Sequence, residues 1–117
     1  MTYETFDLGN GLTCKTLPKE NEHGTFYNSY QVLNSATCMV VHNIEFQDGP
    51  PPQVGINGVS IEALLQICKH RLEAFQATKF SCDFNANAIE GIDSALESLN
   101  ARTAERQSRG VEGTYKE

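Results

Sequence analysis

With 117 residues, 39% apolar composition and a formal charge of −6, the chain has the size of one compact domain and can bury only a modest core. An oligomer that shares its core between copies is therefore expected. The acidic balance excludes the broad basic field with which proteins grip DNA, RNA or an anionic membrane, and there is no apolar run of about 18 residues to span a bilayer.

The opening MTYETFDLGN has no basic region followed by an apolar stretch, which points to a cytoplasmic protein. Residues 1–48 read as strands, because short stretches rich in Thr, Tyr, Val, Ile and Phe alternate with turn residues. Leu12 to Leu17 is one candidate, preceded by Gly-Asn-Gly at 9–11. Thr25 to Leu33 is a second and Thr37 to Phe46 a third, joined by a short connection at Asn34-Ser35-Ala36. An antiparallel meander is expected. Gln47-Asp48-Gly49-Pro50-Pro51-Pro52 removes backbone donors and fixes dihedrals, so neither a strand nor a helix can continue through it.

Ser60 is a good N-cap, with Glu62 in the first turn to complement the helix dipole. From there Ile61, Leu64, Leu65, Cys68, Leu72 and Phe75 recur at intervals of three or four, the pattern of an amphipathic helix. Thr78-Lys79-Phe80-Ser81 breaks the pattern. A second helix is expected over about 82–109, ended by Gly110 in a left-handed cap. The organisation is thus a single α+β domain over 1–117: an N-terminal antiparallel sheet (1–48), a helical hairpin (60–110) and a tail (111–117). At roughly 40 Å the second helix is too long for one small sheet to cover, so part of it should meet another chain.

Cys14, Cys38, Cys68 and Cys82 contain no C-x-x-C pair and read as reduced, small core residues. His23, His42 and His70 lack metal-ligand spacing, and Gly55-x-x-Gly58 lacks the Lys-Ser/Thr of a P-loop. Neither a metal site, a cofactor nor a catalytic set is expected.

The arginines carry the functional signal. All of them follow residue 70, and Arg102, Arg106 and Arg109 lie close together near the end of the second helix. On a helical wheel, Phe84, Ala88, Ile92, Ala95, Leu96 and Leu99 form an apolar stripe, and these three arginines fall on its edge, continuing the inward face. Asn85 falls inside the stripe, an amide that needs hydrogen-bond partners. Arginine suits a pyrophosphate because its planar fork gives paired charge-assisted hydrogen bonds, and Phe75 is the candidate platform for a base. Each feature also has a plainer reading: a solvated basic helix end, an amide bonding backbone at a helix start, and a core phenylalanine. Asn85 and Arg102 stand about 25 Å apart on one helix. If they serve one small ligand, two chains must pair to bring them together.

Three stretches, FQDGPPPQVGINGVSIEALLQICKHRLEAFQ (46–76), the C-x-x-N of Cys82 to Asn85, and RTAERQSRGVEGT (102–114), resemble the phage-encoded Thoeris anti-defence one family, related in fold to the anti-CBASS two sponges. The resemblance implies a sponge that binds a cyclic nucleotide immune signal without cleaving it. The family ligand is glycocyclic ADP-ribose, and some members also hold cyclic di- or trinucleotides. It implies assembly from dimers into hexamers, with ligand between protomers. By resemblance the binding aromatic is Phe75, the amide Asn85, and the arginines Arg102 and Arg106. Where the family often has Arg-Glu, this chain has Asp83-Phe84. The expected function is sequestration of that signal in the cytoplasm of the bacterial host. The alternatives are an enzyme that degrades the same signal and a phage accessory that binds protein.

Overall fold

The computed structural model describes residues 2–114 and forms two compact units, one of residues up to 48 with 56–59, the other of residues 49–55 with those from 60 onward. The architecture is α+β, with the antiparallel sheet first and the helices after it.

In the first unit, β1 (Glu4–Gly9), β2 (Leu12–Thr16), β5 (Ser29–Asn34) and β6 (Val40–Glu45) make a four-stranded antiparallel sheet in the order β1-β2-β5-β6. The short strands β3 (Lys19–Asn21) and β4 (Gly24–Phe26) pair separately. The β1–β2 turn is Asn10-Gly11, with φ of 54° and 79°, the left-handed pair that a two-residue type I′ hairpin needs and Asn-Gly adopts readily. Pairing aligns Phe6, Cys14, Val32 and His42 in one cross-strand row and Glu4, Thr16, Tyr30 and Ile44 in the next. Thr5, Lys15, Gln31 and Asn43 align on the opposite, polar face.

Cys14 and Thr16 are the buried centre of this sheet, each 3% exposed. The Thr16 hydroxyl donates to the Ser29 carbonyl at 2.7 Å, which satisfies the one buried polar side chain among the described residues. Burial pushes the Cys14 thiol upward, away from the reactive thiolate. Tyr30 meets Phe46 edge to face at 5.6 Å between ring centroids.

Several details depart from expectation. β1 and β3 add strands that the pattern did not indicate, and the strand expected over 25–33 is broken at Tyr27-Asn28 into β4 and β5. Of the cysteines only Cys14 is a core residue; Cys38, Cys68 and Cys82 are exposed, and all four are free. The proline tract stops extended pairing, yet it starts a helix: Pro51 and Pro52 open α1 (Pro51–Val54), where the missing N–H groups would have had no helical partner.

After β6 the chain runs beside its own return. Phe46 and Val59 form a parallel bridge, with Gln47 N–H donating to the Val59 carbonyl and Val59 N–H to the Glu45 carbonyl, both at 2.9 Å. The Asn57 side chain accepts from Asp48 N–H at 2.8 Å and donates to its carbonyl at 2.7 Å. This approach requires a residue without a side chain at 58.

In the second unit, α2 (Ile61–Gln76) and α3 (Asp83–Ser108) form a hairpin. The Ser60 hydroxyl accepts from Ala63 N–H at 3.0 Å, the cap that the sequence announced. The far end of α3 closes in a Schellman motif: Gly110 at φ 72° donates to Gln107, and Val111 donates back to Arg106, both at 3.0 Å.

Gly58→Ala is expected to destabilise the protein by about 1–3 kcal/mol in urea unfolding, the usual cost of overpacking. Its Cβ would lie 2.5 Å from the Phe46 carbonyl carbon and 2.7 Å from Gln47 N, both backbone atoms that cannot swing aside.

Candidate functional site

The site candidates all lie on the helical hairpin, whose register is marked by an ion pair between Lys69 and Asp93 at 2.8 Å. The Asp93 carboxylate accepts from the ammonium and raises the Lys69 pKa, so Lys69 stays charged at neutral pH. Counting outward from this pair in opposite directions along antiparallel helices, Ile61 is level with residue 101 and Gln76 with residue 86. With α2 at 16 residues and α3 at 26, α3 therefore overhangs its partner at both ends, by residues 83–85 at the loop and 102–108 at the other. Asn85 sits on the first overhang and Arg102 and Arg106 on the second, about 25 Å apart along one continuous helix. Phe75, in the last turn of α2, belongs to the loop end.

The half-buried and buried positions of α3 are Asn85, Ala86, Ile89, Ile92, Asp93, Ala95, Leu96, Leu99, Thr103 and Arg106, and among them Asn85, Ile89, Ile92, Leu96, Leu99, Thr103 and Arg106 form a row at alternating steps of four and three. This corrects the phase of the wheel. Phe84 is 84% exposed and Ala88 is exposed too, while Ile89 faces in. Weighting by apolarity drew the stripe towards Phe84 because both ends of the true inward row are polar. Arg106 alone among the three arginines continues that row; Arg102 and Arg109 are exposed.

Each arginine has its own surroundings. Arg106 donates from Nε to the Glu112 carboxylate at 3.1 Å, and from Nη2 to the carbonyls of Val111 at 3.0 Å and Thr114 at 3.3 Å. Arg109 pairs with Glu105 one turn earlier on the helix, at 2.5 Å from Nε and 3.1 Å from Nη2. No hydrogen bond or ion pair to a described residue holds the Arg102 side chain.

At the loop end, the Asn85 amide reaches the Phe80 carbonyl at 3.5 Å, a weak bond that leaves most of its capacity for other partners. The loop itself is fixed by Gln76, whose amide donates to the Cys82 carbonyl and accepts from Cys82 N–H, both at 3.0 Å. Phe75 is 37% exposed, and the Arg71 guanidinium lies 5.1 Å from its ring centroid. Arg71 was not singled out from the sequence, although its i,i+4 spacing to Phe75 on one helix was the available signal. Glu112 was missed as well, because its role depends on the chain folding back after Gly110.

Open clefts formed by described residues lie in the sheet unit, among them one of about 510 Å³ lined by Lys15, Gln31 and Asn43 of the polar face together with Tyr3 and Lys19, and two smaller ones. Lys19 is tied to Asp48 at 2.5 Å and Lys15 lies over the Tyr3 ring. These three clefts include no residue expected at the site. No group of His, Cys, Asp and Glu among the described residues could hold a metal ion, and no described helix is long and apolar enough to cross a membrane. The expected tail begins as a turn over Val111–Thr114; residues 115–117 lie outside the described residues.

The sequence profile of the family described as "Acb2/Tad1, hairpin domain" matches residues 40–104, a stretch that takes in β6, the proline tract and the hairpin up to the arginine end. The chain is also 47% identical over 93 residues to "Thoeris anti-defense 1" of Bacillus phage SBSphiJ7, an alignment covering 80% of this chain and 66% of that relative. The chain thus spans just under two thirds of that relative's length. It belongs to the Acb2/Tad1 hairpin family.

Arg106→Ala is expected to lower stability by about 1 kcal/mol, since the three acceptors are only partly shielded from water. The amides of Val111 and Thr114 should exchange with deuterium markedly faster, while those of the hairpin centre around Leu96 keep their protection.

Proposed function

Starting from membership of this family, we propose that the chain is a phage anti-defence sponge. It binds a cyclic ADP-ribose-type immune signal, glycocyclic ADP-ribose, in the cytoplasm of the bacterial host and keeps it from its effector without cleaving it, so blocking Thoeris immunity. The relative named Thoeris anti-defense 1 supports the biological role. The observation that carries the molecular reading is the placement of the candidate residues on opposite overhangs of α3.

In one chain those overhangs are too far apart for a small nucleotide. Two hairpins laid antiparallel bring the Phe75–Asn85 end of one protomer to the arginine end of its partner. The exposed apolar surface of the hairpin favours such pairing. Ile61, Cys68 and Phe75 recur at seven-residue spacing on α2, and Ile61 is 50% and Ile67 64% exposed in the single chain. Covering such side chains contributes roughly 1.5–3 kcal/mol each. Dimers of this kind then build a higher oligomer, a hexamer by family resemblance.

In the assembled site, Arg102 and Arg106 hold the pyrophosphate, Phe75 stacks on the adenine, Asn85 offers an amide to the base or ribose, and Arg109 supplies a further positive charge. Arginine forks recognise linked phosphates in pairs, and stacking on an aromatic ring contributes roughly 1–3 kcal/mol per base. Cyclic di- and trinucleotides, with the same chemical groups, form a second ligand class within the same reading.

The direct test is to incubate purified protein with glycocyclic ADP-ribose, remove free ligand, denature by heat and analyse what is released. Intact signal is the expected result. An altered product would make the protein an enzyme, and nothing released would leave the protein-binding role.

Arg102→Ala is expected to weaken binding about tenfold or more by calorimetry, the loss of a charge-assisted contact. Its exposed side chain holds no described residue, so the melting temperature and the mass of the assembly should not change. Wild-type affinity in this variant would remove Arg102 from the site.

A further inference from the structure

The reading of Arg106 as a phosphate ligand meets an obstacle in the geometry: the Nε and Nη2 edge of its guanidinium is already occupied. Nε donates to the Glu112 carboxylate at 3.1 Å, and Nη2 serves the carbonyls of Val111 and Thr114. A phosphate taking this edge in the two-pronged way that arginine favours must replace the acceptor at Nε.

We propose that Glu112 is an internal anion that occupies the Arg106 fork in the free protein and that the ligand's phosphate displaces it on binding. The inference rests on the anion-binding role of Arg106. The two kinds of acceptor on this arginine differ in how readily they can leave. Val111 and Thr114 contribute backbone oxygens from a turn that is pinned at both sides. The Schellman bonds tie Gly110 and Val111 to α3, and Gly113, at φ 74°, sits so close to Pro52 of α1 that a Cβ there would be 3.0 Å from the proline ring. Glu112 contributes a side chain that is 37% exposed, and it swings into water by rotation about its own bonds.

The backbone carbonyls therefore keep the guanidinium aimed while the carboxylate is exchanged. The pair is worth little to the fold because it is partly hydrated, so its loss on binding costs little. It also keeps the arginine neutralised until a more highly charged anion arrives. Glu105 on Arg109 has the same character one turn away. Selectivity follows: a ligand with a single weak negative group gains nothing over the resident carboxylate, whereas a pyrophosphate does.

The experiment is calorimetric titration of the full chain with glycocyclic ADP-ribose for wild type, Arg106→Ala, Glu112→Gln and Glu22→Gln. Glu112→Gln keeps size and an acceptor oxygen but removes the competing charge, and it is expected to tighten binding about three- to fivefold, the value of a partly exposed ion pair. Glu22→Gln, the same charge change at an exposed position of the sheet unit, outside the hairpin, should leave affinity unchanged, which separates local competition from net charge. If Arg106→Ala loses binding while Glu112→Gln is unchanged or weaker, the internal-anion role is overturned and the binding reading survives. If Arg106→Ala binds like wild type, the role assigned to Arg106 in the site is itself wrong. An equal gain in Glu22→Gln overturns the proposal in favour of a general charge effect.

Discussion

The length difference between the two helices governs the second unit. α3 has 26 residues against 16 in α2, and the Lys69–Asp93 pair sets the register so that the excess appears at both ends. A helix end without a neighbour leaves carbonyls or N–H groups unsatisfied and frays unless something caps it. At the loop end Gln76 bonds both backbone groups of Cys82 and Asn85 reaches Phe80. At the arginine end the chain turns back on itself, and Arg106 binds the turn through two carbonyls and a carboxylate. Both overhangs thus combine structural capping with polar groups that lie beside open surface.

The hairpin has one buried side chain in α3 and none in α2, a small interior that agrees with the proposed pairing of copies. On α2, Leu65, Lys69 and Leu72 are half-buried, and Lys69 pairs with Asp93 of α3. The next face of α2, with Ile61, Cys68 and Phe75, remains in contact with water. Helix pairs of this shape gain most by laying a second copy along the uncovered apolar row, since each buried methylene adds roughly 0.8 kcal/mol. The same apolar row ends at Phe75. In the proposed assembly, contacts between copies and contacts to the ligand would therefore share one face.

The helices were legible in the sequence because their signals are local. Ser60 with Glu62 starts α2, Gly110 ends α3 within a residue of its expected limit, and three- and four-residue spacing marks the bodies. The central strands were legible through their β-branched and aromatic content. β1 and β3 were not, because Glu-Thr-Phe-Asp-Leu-Gly and Lys-Glu-Asn owe their extended state to hairpin partners rather than to their own preference. α1 was hidden by the prolines that begin it. The location of the arginine cluster was readable from sequence, but its internal order was not. Which of three neighbouring arginines turns inward depends on the phase of a stripe with polar ends, and the pairing of Arg106 with Glu112 depends on a turn that only folds once Gly110 has reversed the chain.

An acidic chain that is to hold a doubly charged anion faces a local electrostatic problem. Arg102 and Arg106 are one turn apart, about 6 Å along the axis, and two such charges repel by about 0.7 kcal/mol even in water. A third arginine at 109 adds to the strain. Glu105 and Glu112 relieve it by lying against Arg109 and Arg106, which brings the arginine end close to neutrality without dispersing the guanidinium groups. The carboxylates so placed keep a cationic site assembled on a helix whose overall charge disfavours one. In the proposed reading they also set the minimum that a ligand must exceed, because only an anion that bridges several arginines at once interacts more strongly than two separate carboxylates. In that reading a pyrophosphate linked to a stacking base meets that requirement, since its two phosphates are covalently joined and each can face a guanidinium, whereas each glutamate reaches a single one.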